Sequence, residues 1–262
     1  MRRALGGAFL AAWLAGLAPA AADGLLAHRA EFTLALASPR GEGGIADVSG
    51  RMSIELADVC DGWTVDQRLV LDIAFEGEAG FRSISSFVSW ESKDGTRFRF
   101  EDRTWHDAGL IEEVSGNASL EAPDGPGRVV LSAPEAATLD LPPGTLFPTR
   151  HTAVLIEHAS TGQTYLLRPL FDGTSAEGPV DVGVAIGKAR DVPAELGAGA
   201  GRARPMRLAF FSGGEEPDLP AFEVAVLMQD NGVARAMTLD YGDYAVRATL
   251  VRVEPLPKLD CQ

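Results

Sequence analysis

The sequence predicts a mainly β protein: a single domain of thirteen or fourteen antiparallel strands with one central helix. Three observations carry this. Apolar residues recur at every second position through nearly the whole chain, which is the period of a half-buried strand. Turn residues punctuate the alternation at short intervals instead of pooling in one linker. A single stretch, near residue 150, reads with helical spacing. One-sided alternation of this kind belongs to an antiparallel sheet with one face buried and one wet.

The chain opens with Met1-Arg2-Arg3, an apolar run over residues 4–17, and Ala18-Pro19-Ala20-Ala21-Ala22. A charged start, an apolar centre and small residues before a cut describe a cleavable export signal over residues 1–22. The run is too short for a comfortable membrane span, and no cysteine near the cut offers a lipid anchor. The expectation is an exported domain over residues 23–262 with no transmembrane anchor after cleavage. Without Arg2 and Arg3 the chain has 21 basic residues against 37 acidic ones, a net charge of −16. Such a surface repels nucleic acid and anionic headgroups, so neither is an expected general partner.

In order, Phe32, Leu34 and Leu36 alternate with Glu31, Thr33 and Ala35 to open the first strand. Arg40-Gly41-Glu42-Gly43-Gly44 turns the chain into a second, which carries Val48, Met52, Ile54 and Leu56 on one face. After Asp61-Gly62 comes the longest strand, with Trp63, Val65, Leu69, Leu71, Ile73 and Phe75 on one face and Gln67 as the interruption. Residues 81–92 and 96–105 flank Lys93-Asp94-Gly95, a hairpin signal between two alternating runs. Shorter strands follow at 110–120 and 128–131.

Leu141-Pro142-Pro143-Gly144-Thr145-Leu146-Phe147-Pro148 is too rigid and broken for a regular element. Thr149 then caps a helix over 150–160 that ends near Gly162. Its apolar stripe, Ala153, Val154 and Leu155 or Ile156, is expected to pack in the hollow of the sheet, with Arg150 and Glu157 in solvent. Strands at 165–171 and 180–188 follow. Residues 193–205, rich in glycine and alanine, are expected to form a mobile surface loop. The last quarter is a four-strand meander, 206–212, 222–229, 233–241 and 244–253. Asp230-Asn231-Gly232 and Gly242-Asp243 form its tight turns. Pro255 and Pro257 stop the final strand and lead to Cys261.

Cys60 and Cys261 are the two cysteines, about 200 residues apart. An oxidising destination favours a bond between them. The other reading is two thiols that never meet. A loop of this length would contribute at most about 5 kcal/mol on the loop-entropy model.

Motifs distributed along the chain also carry a resemblance. They are Cys60-Asp61-Gly62-Trp63 after the Arg51-Met52 strand, Trp90-Glu91-Ser92-Lys93-Asp94-Gly95, the Leu141 to Pro148 motif continued by Thr149-Arg150-His151, Phe171-Asp172-Gly173, Asp230-Asn231-Gly232-Val233, and Leu239-Asp240-Tyr241-Gly242-Asp243. In this order the sequence resembles the cell envelope integrity protein EipB family over nearly the whole of residues 23–262. The resemblance implies a periplasmic β-spiral, one strongly curved antiparallel sheet in the form of an open barrel around the helix, similar to lipoprotein-carrier folds. It implies a disulfide between Cys60 and Cys261, and it implies no established enzymatic reaction. The one departure is the Gly/Ala-rich segment 196–204.

The residues show no Gly-x-Ser-x-Gly elbow, His-Glu-x-x-His pair, phosphate loop or dinucleotide fingerprint. His151 and His158 stand seven apart on the helix beside Glu157, two thirds of a zinc site without a third ligand that spacing dictates. Asp172 could serve as an acid, although Asp-Gly is a turn by default. Trp63, Trp90 and Trp105 read as core or rim anchors. No cofactor is implied. The favoured function is a non-enzymatic periplasmic protein that supports envelope integrity by offering a concave apolar surface to a lipid, a lipoprotein or a protein segment. A purely structural scaffold is the alternative. A hydrolase or metal enzyme acting on envelope material through His151, His158 or Asp172 is the third reading.

Overall fold

A computed structural model describes residues 24–39, 44–211, 219–257 and 259–261; the expected export signal lies outside them. The described residues form fifteen strands and one helix. The first arm is a meander of eight strands: β1 (His28–Pro39), β2 (Ile45–Asp58), β3 (Gly62–Phe75), β4 (Phe81–Ser92), β5 (Arg97–His106), β6 (Gly109–Leu120), β7 (Gly127–Ala133) and β8 (Ala137–Leu141). The helix α1 (Pro148–Ser160) follows. The second arm is β9 (Tyr165–Leu170), β10 (Val180–Ile186), β11 (Arg190–Val192), β12 (Gly201–Phe211), β13 (Phe222–Gln229), β14 (Ala234–Asp240) and β15 (Tyr244–Pro255).

Because β15 returns to pair antiparallel with β1, the two arms merge into one sheet, ordered β8-β7-β6-β5-β4-β3-β2-β1-β15-β14-β13-β12-β10-β9. The sheet does not close on itself. The segment before α1 bridges toward the β9 edge, where the Leu146 amide donates to the Pro169 carbonyl at 2.9 Å and the Phe171 amide to the Leu146 carbonyl at 3.0 Å.

Register gives the sheet two distinct ends. At one lie His28, Leu56, Trp63, Glu91 and Phe98, with α1 packed beside them. At the other lie Ile45, Phe75, Phe81, His106, Phe222 and Tyr244. The helix buries Val154, Leu155 and Ala159 against Leu166, Val182, Val184, Met206 and Val226 of the second arm. Ala153 faces Trp63 and Ala27, so α1 lies in the hollow and touches both arms. Phe98, Phe100, Phe147 and Phe171 stack beside it, with ring centroids 5.1–6.4 Å apart where they meet, and fill the first arm's interior.

Four expectations change. Two further strands exist: β8 and the three-residue β11 are too short to show periodicity. Helix α1 begins at Pro148, and Thr149 is not its cap; Phe147 holds the N-cap position without a side-chain bond. Arg150 is half-buried, its stem lying over Gly95. Residues 193–205 are no loose loop, since Ala198, Ala203 and Arg204 are buried and β12 begins at Gly201. This segment docks through backbone contacts that composition does not reveal. The Val253 amide donates to the Leu196 carbonyl, and Gln229 Nε2 donates to the Gly199 carbonyl. Gly197, at φ +83°, approaches Val253 so closely that a Cβ would sit 1.9 Å from its carbonyl oxygen.

Cys60 and Cys261 are joined in a disulfide across a separation of 201 residues. Cys60 sits at φ +67° in a turn braced by Asp58, which accepts its amide and the Lys93 ammonium. Lys93 in turn lies 3.8 Å over the Trp63 ring. The bond therefore pins the chain's last residues to the helix end of the sheet. Cys60→Ser and Cys261→Ser each remove the same constraint, so chemical denaturation should show equal losses of about 2–5 kcal/mol. Losses that differ by more than about 1 kcal/mol would give one cysteine a second role. Val154→Asp places a charge among Val182, Val184 and Val226 and should abolish cooperative melting or cost more than about 4 kcal/mol. Parent-like melting would instead make α1 a surface appendage.

Candidate functional site

The helix end of the hollow is built on Glu91. Strand β4 carries Phe87, Ser89 and Glu91 on its buried face, so alternation itself places a carboxylate in the interior, 2 % exposed. Its two oxygens accept the amides of Thr149 and Arg150, each at 2.7 Å. The Thr149 hydroxyl adds a third bond. These are the orphan donors of a buried helix N-terminus, where the helix dipole also favours an anion. Pro148, in the first turn, has no amide to satisfy. Burial pushes the carboxyl up to about 7, against the pull of Thr149 and Arg150.

Beside this contact, between α1 and the two arms, lies a cavity of about 210 Å³. Phe32, Ile54, Leu56, Val65, Met228 and Met237 supply most of its wall, and none of its lining residues is Lys, Arg, Asp or Glu. Its polar side chains are His28, Thr149 and Thr152. Ile54, Leu56 and Met237 are half-exposed, so the space is accessible to solvent.

The opposite end is rimmed by half-buried aromatic rings. Phe210, Phe222, Tyr241 and Tyr244 form a ladder across β12 to β15, with successive centroids 5.5, 5.0 and 5.0 Å apart. Phe75, Phe81 and the exposed His106 continue it on the first arm at 6.0 and 4.5 Å. Burial pushes the Tyr241 phenol up to about 12, which keeps it neutral. Deeper in the first arm, Asp102 is buried and held up at about 6, first by burial and then by Glu112 and Asp172.

The three side chains singled out from sequence do not form one site. His151 is buried and held neutral, its pKa pushed down to about 4 by burial alone; its Nε2 meets no protein partner. His158, one side of the last helical turn, is half-buried with Nδ1 likewise unpartnered. Asp172 behaves as the turn residue its Asp-Gly context suggests: its Oδ1 accepts the Thr174 amide at 3.0 Å and hydroxyl at 2.8 Å. Among the described residues no group of three or more His, Cys, Asp or Glu side chains comes together in a way that could hold a metal ion. Trp63 is buried as an anchor, while Trp90 and Trp105 are half-buried.

Glu91 and His28 stand outside the candidates that sequence motifs single out, although both carry a legible signal. Each sits in phase with the apolar positions of its strand, His28 with Ala30, Phe32 and Leu34, and Glu91 with Phe87. A charged or titratable residue in the buried phase of a strand marks an interior contact.

These features define a class: an open, barrel-like β protein with a helix held in its hollow, an apolar cavity beside the helix and a ladder of aromatic rings at the far end. No helix among the described residues is long and apolar enough to cross a membrane. The EipB-like family profile matches residues 19–257, and the chain belongs to that family. It is 35% identical over 255 residues to the cell envelope integrity protein EipB of Brucella abortus (strain 2308), covering 94% of this chain and 90% of that one. The crystal structure of a β-barrel-like protein of domain of unknown function DUF1849 from Brucella abortus superposes with a TM-score of 0.83 at 34% identity, over 89% of this chain and 99% of the other.

Glu91 and His151 pull the pH dependence of stability in opposite directions. Glu91, raised from 4.5 to about 7, contributes stability that is full below 4.5 and lost as pH rises through 7. His151, lowered from 6.5 to about 4, contributes stability that is full above 6.5 and lost as pH falls through 4. Relative to the parent, Glu91→Gln should therefore make the stability slope between pH 4.5 and 6.5 more positive, and His151→Gln should make it more negative. Urea melts across that window measure both slopes; changes of the same sign would refute the assignment. Glu91→Ala, which strands two buried amides, should cost about 2–3 kcal/mol at pH 4.5, and the cost should shrink as pH rises toward 7.

Proposed function

We propose that the protein is a non-enzymatic periplasmic binder of apolar envelope material that supports envelope integrity by holding an acyl chain of a lipid or lipoprotein on the concave face of its sheet. The observation that carries this reading is the arrangement of the hollow. The helix end holds an apolar cavity of about 210 Å³, and a ladder of aromatic rings stands at the opposite end of the sheet. Apolar cavities of about 150 Å³ already take up benzene-sized guests. Aromatic rings with one polar edge suit a mouth that is wet on one side and apolar on the other. The Brucella abortus relative, named for cell envelope integrity, supports the setting.

One observation favours a scaffold without cargo. The Phe98, Phe100, Phe147 and Phe171 cluster fills the first arm with the protein's own side chains. Mass spectrometry of organic extracts from the natively purified protein separates the two readings. Acyl chains should accompany the parent at a reproducible ratio and fall at least about fivefold in Met237→Arg, whose charge would enter the cavity wall. A parent free of acyl chains, in a preparation never exposed to detergent, would leave the scaffold reading. The same ratio in His151→Gln and the parent is expected, because His151 does not line the cavity.

A further inference from the structure

The polar groups of the cavity beside α1 are not interchangeable, because its donors are already spent. Thr152 Oγ1 donates to the Pro148 carbonyl at 3.0 Å. At pH 8, where Glu91 is mostly ionised and can only accept, the Thr149 hydroxyl donates to its carboxylate. His28 Nδ1 lies 2.7 Å from the Leu26 carbonyl oxygen, an acceptor, so this nitrogen carries the ring's proton. Burial favours the neutral imidazole, which leaves Nε2 with a lone pair and no hydrogen. His28 is 5 % exposed, lines the cavity, and among the described residues nothing donates to its Nε2. The backbone of β1 is engaged on both sides by β2 and β15, so it adds no free donors.

An apolar space whose one uncommitted strong polar atom is an acceptor has a definite chemical preference. A carboxylate or phosphate entering it would lose its water and find no donor, a penalty no apolar contact offsets. An ammonium would find no opposite charge. A hydroxyl can give its proton to His28 Nε2 and leave its alkyl body against Phe32, Ile54, Leu56 and Met237. We propose that this cavity is selective for a neutral, hydroxyl-bearing alkyl group, with His28 Nε2 as the acceptor that reads the hydroxyl. The inference rests on the hollow binding apolar material and adds which chemistry reaches its inner end. Hydroxylated chains enter alcohol-first or with the hydroxyl at depth; anionic heads stay outside.

The test uses the full exported chain and three probes of similar size: octan-1-ol, its isomer 1-methoxyheptane, and octanoate at pH 8, each titrated calorimetrically. Octan-1-ol should bind about tenfold more tightly than the ether, which cannot donate, and octanoate more weakly than either. His28→Phe, close to the parent in shape, should erase the preference and leave ether binding within about twofold of the parent. Ala234→Leu, filling the cavity from another wall residue, should weaken alcohol and ether together. Equal binding of alcohol and ether to the parent overturns the inference while the apolar-binding reading stands. So does a preference that survives His28→Phe. Should that variant fail to fold, the alcohol–ether comparison on the parent alone decides. Binding of neither neutral probe removes the cavity as an apolar site, and the inference with it.

Discussion

The contact on which the interior depends is a carboxylate receiving the end of a helix. A helix N-terminus exposes amides that water normally satisfies, and inside a barrel there is little water to do it. Glu91 from β4 supplies acceptors for Thr149 and Arg150, so it fixes where α1 starts and along which direction it runs. Everything in the hollow is placed relative to that start. Phe147, immediately before it, joins the aromatic filling of the first arm; Thr149 and Thr152, just inside it, wall the cavity. The same contact holds a physical conflict, since burial disfavours the charge that the amides favour. The interior is therefore poised, with an acid near neutrality at one side of the helix and a neutral buried histidine within it.

A second constraint acts at the level of the chain. Two meanders that ran separately would present four edges, and exposed edges invite pairing with other chains. Pairing β15 with β1 removes two of them, and the segment around Leu146 covers part of β9. The disulfide then secures the last residues beside the first strands. His28 and Cys261, near the two limits of the described residues, are thus gathered at the helix end.

Polarity grades along the hollow. Half-buried phenylalanine and tyrosine rings line the mouth, and apolar side chains with one uncommitted acceptor line the inner cavity. That gradient, together with the net negative charge of the surface, disfavours deep entry of anionic groups without excluding alkyl chains. Selectivity of this kind needs no catalytic group; it follows from which hydrogen-bond roles are already taken.

The alternation of side chains alone determined the fold class, most strand positions and the buried face of each long strand. Period two is a local property, and Trp63, Leu71 and Ile73 are buried as their phase requires. The turns at Asp94-Gly95 and Asn231-Gly232 are likewise local chemistry. The family motifs added the curved sheet around a helix. What the chain could not show by itself are relations between distant segments. Thr149 reads as a cap because cap propensity is local, yet its partner stands 58 residues away on β4. Residues 193–205 read as a loop because glycine and alanine bury little, whereas Gly197 is small so that it can lie on Val253. The cavity's acceptor-only character exists only once His28, Thr149 and Thr152 are brought to one wall with their donors turned elsewhere. Composition sets which groups a protein owns; the tertiary fold decides which of them are left unpaired.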